Sequence, residues 1–155
     1  MSEPMADWEA ERKKIIAQRD RINAHFSCVF NWLELLEDGA DLQPYFKDHK
    51  CSNIAIYGVA ELGEMLLKEI KRGGVTKAAY FLDRNAARQR EKCGIPVYLP
   101  EEFKDLPDGD MIVVTAIISF EAIEITLLKI RPEIPVVSIN TIIDVRKDEV
   151  WYDQR

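Results

Sequence analysis

Five short apolar runs recur after residue 50: NIAIYG (53–58), KAAYFLD (77–83), IPVYL (95–99), DMIVVTA (110–116) and IPVVSI (134–139). None alternates apolar with polar side chains, the pattern of strands covered on both sheet faces. The stretches between them supply the cover, since ELGEMLLKEIKRGG, PEEFKDLP and SFEAIEITLLKIR read as helices and RNAARQREKCG as a polar connection. Strands alternating with helices predict an α/β fold with a doubly wound parallel sheet. Five strands joined by right-handed crossovers are most economically ordered 3-2-1-4-5, with a topological switch between the first and fourth strands, outside their carboxyl ends.

Residues 7–38 precede this pattern with neither Gly nor Pro, and Trp8, Ile15, Ile22, Val29 and Leu36 recur seven apart. Phe26 and Leu33 fall between them, and Arg12 and Arg19 interrupt the stripe near its start. This predicts one long amphipathic helix, about 48 Å at 1.5 Å per residue, ended by Gly39 as its C-cap. So long a helix cannot bury its whole stripe on a domain of about 100 residues, and a homodimer through it is the expectation. A short helical turn follows, with Leu42, Tyr45 and Phe46 to pack, so residues 1–50 form a helical segment and 51–155 the sheet domain. The tail NTIIDVRKDEVWYDQR is expected to add a final helix turn and a short edge strand near residues 150–152.

Composition removes several classes of function. A formal net charge of −6 disfavours a nucleic-acid backbone as partner, because that affinity comes from Lys and Arg neutralising phosphates. Cys28, Cys51 and Cys93 are odd in number and widely spaced, with only His25 and His49 as imidazoles, so free thiols in a reducing cytoplasm are expected rather than a metal site. No run of about 18 apolar residues exists to span a membrane, and the charged amino terminus has no apolar export core.

The first apolar run passes into GVAELG, a glycine turn between a strand and a helix. In such a turn the first glycine permits the sharp bend, the second lets backbone amides approach a pyrophosphate and the third packs the helix on the strand. Gly58 and Gly63 hold the outer places and Ala60 the middle one, whose methyl narrows the approach. The amides of Val59, Ala60, Glu61, Leu62 and Gly63 then offer an anion site at the positive end of the helix. Glu61 works against a phosphate there, since its carboxylate already complements that end. Asp83 closes the second apolar run 25 positions beyond Gly58, where a carboxylate can accept from a ribose 2′-hydroxyl and favour NAD over NADP. Arg84 beside it blunts that preference. Two readings stand on these residues: a bound nucleotide, or a turn that is purely architectural.

The segments NIAIYGVAELGEMLLKEI, YFLDRN, CGIPVYLPEEF and DMIVVTA, within residues 53–141, resemble the Rossmann-like domains of nucleotide-sugar-modifying and capsular polysaccharide proteins. The resemblance covers roughly 60% of the chain and implies binding of NAD(P) or a UDP-sugar at Gly58, Ala60, Gly63 and Asp83. The long helix lies outside it.

Catalytic equipment is sparse. No Tyr has a Lys four residues later, as hydride-transferring short-chain enzymes require, and the motifs of serine hydrolases, P-loop NTPases and zinc proteases are absent. Thr115 and Ser119 follow the fourth run, where hydroxyls can face a ribose, though Ser119 is also placed to N-cap the next helix. Cys93 reads as a loop thiol and His25 and His49 as surface or packing residues. The expected role is a cytoplasmic nucleotide-binding or regulatory subunit; a small enzyme completed by a partner and a non-binding dimerisation scaffold are the alternatives.

Overall fold

The computed structural model describes residues 3–155. Helix α1 runs over Glu3–Glu37 and α2 over Gln43–Asp48, followed by β1 (Asn53–Tyr57), α3 (Glu61–Gly73) and β2 (Lys77–Leu82). Then come β3 (Glu91–Lys92), β4 (Ile95–Tyr98), β5 (Met111–Val114), α4 (Phe120–Ile130), β6 (Val136–Ser138) and α5 (Ile139–Asp153). The sheet has six strands in the order β3-β4-β2-β1-β5-β6, with every pairing parallel except β3 with β4.

The sixth strand is a correction to the five expected. Cys93 and Gly94 both have positive φ, 53° and 79°, the geometry of a tight two-residue hairpin, and it turns Glu91 and Lys92 back against Ile95 and Pro96. A strand of two charged residues carries no apolar signal. The tail differs too: residues 150–152 belong to α5, not to an edge strand. Ile139, Ile142 and Ile143 are buried at helical spacing, and the Ser138 hydroxyl accepts from the Asn140 amide at 3.3 Å. PEEFKDLP is a 3-10 helix over Pro100–Asp105 rather than an α-helix, two turns long and followed by Pro107, before which the chain is already extended at Leu106.

The sheet divides the core in two. Ile54 and Ile56 of β1 face α3, α5 and the carboxyl-terminal half of α1, while Ala55 and Tyr57 face α4 and Phe103. Helix α1 is anchored by Cys28, Trp32 and Leu35, all at 1% exposure, and residues 5–23 of it are exposed. Glu69 of α3 fastens this end: its carboxylate accepts from the Trp32 indole at 2.9 Å and from the Leu42 amide at 2.5 Å. Burial pushes the Glu69 carboxyl above its ordinary pKa, and the two donors pull it back part of the way. Gly39, at φ 77°, ends α1.

Candidate functional site

Strands β1 and β5 lie side by side, yet the chain leaves β1 for α3 on one face and β5 for α4 on the other. That divergence opens a crevice at their carboxyl ends. Gly58 makes the turn with φ 115°, and a Cβ there would stand 2.5 Å from the Thr115 hydroxyl. Gly63 is required for a different reason, because a Cβ on it would overlap the Gly58 carbonyl oxygen. The first turn of α3 is thus seated directly on the glycine turn. Ala60 occupies the N-cap with no side chain to offer the helix, so the amides of Glu61, Leu62 and Gly63 have neither a side-chain cap nor an intrahelical acceptor. Glu61 is exposed at the crevice rim; Leu62 is buried beneath it.

Asp83 lies across the turn at the end of β2. Its carboxylate accepts from the Val59 amide at 3.0 Å and from the Asn85 amide at 2.7 Å. One amide of the anion site is thereby taken by the protein itself. A carboxylate has about four lone-pair positions, so two bonds leave room for a hydroxyl donor. Thr115 is buried, donating its hydroxyl to the Tyr57 carbonyl at 3.0 Å, and its oxygen can still accept. Arg84 is exposed on the same wall as the Tyr57 phenol, whose pKa is raised by burial and lowered in part by that guanidinium.

The crevice continues through three adjoining spaces. A cavity of about 250 Å³ lies over the glycine turn, with Asp83, Thr115 and Ser119 on its walls. Asp83 and Ser119 also border the next, of about 290 Å³, which reaches Arg84 and Tyr57. Those two residues open in turn on a third, of about 320 Å³, toward Leu99, Glu101 and Thr126. All nine residues named from the sequence therefore lie on or directly beneath one groove, except that Val59 contributes its amide and packs its side chain on the core.

The groove also has lining residues that were not among them, two of which come from the long helix. Arg21 and His25 of α1 wall the cavity over the glycine turn. Their signal was weak because nothing in the helix periodicity says which half of a long helix returns to the sheet. His25 Nδ1 lies 2.8 Å from the Arg21 carbonyl oxygen, so Nδ1 carries the proton and Nε2 is left for another partner. Ser119 stands before Phe120 as foreseen, but its hydroxyl caps nothing: residues Ile117–Ser119 form a 3-10 turn, and φ −95°, ψ 9° at Ser119 is not the extended cap conformation.

No family model matches the chain, and no curated protein matches it. Among solved structures it is similar to the crystal structure of UDP-D-quinovosamine 4-dehydrogenase from Vibrio fischeri, with a TM-score of 0.50 over 57% of this chain and 77% of that one, at 18% identity. The shared feature is a Rossmann-like fold. Among the described residues no helix is long and apolar enough to cross a membrane, and no group of three or more His, Cys, Asp or Glu is placed to hold a metal ion.

Proposed function

We propose that this chain is a nucleotide-binding module, taking NAD(P) or a UDP-sugar in the groove and serving as a binding or regulatory subunit of polysaccharide or nucleotide-sugar metabolism. In this reading residues 51–155 are the binding domain, 1–50 wall and join it, and the module works as a cytoplasmic homodimer through α1. The observation that carries it is the uncapped first turn of α3, held against Gly58 at the switch between β1 and β5 with Asp83 beside it. Pyrophosphate oxygens would accept from the amides of residues 60–63 and a ribose hydroxyl would donate to Asp83. Arg21 supplies a positive group that offsets Glu61, and Nε2 of His25 is free to accept from a ligand hydroxyl. That the structural neighbour is named for a UDP-sugar substrate agrees with this ligand class.

The test is calorimetric titration with NAD, NADP, ADP and UDP-sugars. Ala60 is exposed at the groove with φ −75°, so Ala60→Gly and Ala60→Val both fit the backbone. The glycine should tighten binding several-fold and the valine weaken it at least tenfold. If all four ligands give neither heat nor thermal shift at millimolar concentration in the unaltered protein, the turn is architecture. Turnover of a bound nucleotide-sugar would instead favour the partner-completed enzyme.

A further inference from the structure

Helix α1 has two apolar faces. Cys28, Trp32 and Leu35 are buried on the domain, whereas the heptad stripe on the opposite side stands in water, with Trp8 64%, Ile22 58% and Phe26 67% exposed. The stripe continues along residues 5–23, which are exposed throughout, and a helix left bare over that length is marginal in water. Charge is divided along the same rod. Residues 12–21 hold five Lys or Arg and one Asp, while residues 22–38 hold three acidic residues and no Lys or Arg. Of those acids only Glu34 is paired among the described residues, with Lys147 at 2.6 Å.

We infer that α1 pairs antiparallel with α1 of a second copy, in the register that sets Phe26 beside Ile22 and Asn23 opposite its own counterpart at the two-fold axis; this rests on the homodimer reading above. A parallel pair would stack Arg12 on Arg12 and Arg19 on Arg19 at seam positions and gather both acidic ends together. Reversal lays the basic segment along the acidic one. The same register sets Leu33 beside Ile15 and Arg19 beside Val29, and it matches the flanking Ile16 with Phe30, which are 37% and 48% exposed. Arg12 falls between Leu36 and Glu37 of the second helix. Cys28, Trp32 and Leu35, which fix each helix to its own domain, lie off this seam, and the seam residues are left exposed for a second helix.

Light scattering and cross-linking on the full chain separate the possibilities. In a Cys93→Ser background, Asn23→Cys should link to itself with a short bis-maleimide, and Arg19→Cys should link to Val29→Cys only when the two proteins are mixed. The mass should be twice 17.9 kDa. A dimeric mass with Arg19→Cys linking to itself, or with none of these links, overturns the antiparallel pairing and leaves the dimer standing. A mass of one chain overturns the dimer as well.

Discussion

The Asp83 carboxylate accepts a hydrogen bond from the Val59 amide at 3.0 Å, tying the end of β2 to the glycine turn that leaves β1. The residue assigned to a ribose in the proposed function is therefore also a fastener of the loop beneath it.

Removing that carboxylate should cost stability before it costs affinity. Asp83→Ala strips acceptors from the Val59 and Asn85 amides and should destabilise the fold by about 1.5–3 kcal/mol. Asp83→Asn, which keeps one acceptor oxygen, should recover part of the loss. An unchanged urea midpoint in Asp83→Ala would show that water replaces both bonds at no cost.

Gly63→Ala should be far more damaging than a single methyl suggests, because the new Cβ would overlap the Gly58 carbonyl oxygen and α3 would have to lift from the turn. A loss above about 3 kcal/mol is expected. Gly39→Ala is the comparison: its φ of 77° is strained but nothing lies within 4 Å, so about 1–2 kcal/mol is expected. Thermal melts of the two variants should differ widely, and equal melting temperatures would contradict this packing.

The sign of the Glu69 contribution follows from its raised pKa. The folded chain holds that proton to higher pH than the unfolded chain, so stability from Glu69 is full below the unfolded value near 4.5 and is lost as pH rises through the folded value. The stability difference between the unaltered protein and Glu69→Gln should fall as pH rises from about 4.5, then level off. A difference that rises across this range in denaturant titrations would reverse the assignment.

Thiol chemistry should distinguish one cysteine from the other two. Cys93 is exposed, whereas Cys28 and Cys51 are buried and burial pushes the Cys28 thiol up to about 11. At pH 8 the native protein should release one equivalent from an aromatic disulfide reagent quickly, and the denatured chain three. Three fast native equivalents would mean that α1 leaves the core readily.

The parts of the fold that burial dictates were legible in the sequence. Ile54 to Tyr57 and Met111 to Val114 must be covered on both faces, and a chain that hides them needs helices on either side. Gly58 and Gly63 announced the turn because only glycine fits both places. Other features depend on tertiary proximity. Glu91 and Lys92 form a strand only because the Cys93–Gly94 turn delivers them to β4. Arg21 and His25 reach the groove because Cys28 and Trp32 fix the neighbouring turns of α1 on the domain, and no local pattern encodes that distance. The two amides held by Asp83 were equally invisible, since a carboxylate at a strand end looks the same whether it waits for a ligand or is already engaged.

Helix α1 is clamped at one end, borders the groove near its middle and runs free beyond. Mechanically it is a lever whose fulcrum lies beside the glycine turn. From His25 to Trp8 the free arm measures about 25 Å at 1.5 Å per residue. A tilt of five degrees about the fulcrum would carry Trp8 through roughly 2 Å, so a small adjustment of the wall at Arg21 and His25 is amplified at the tip.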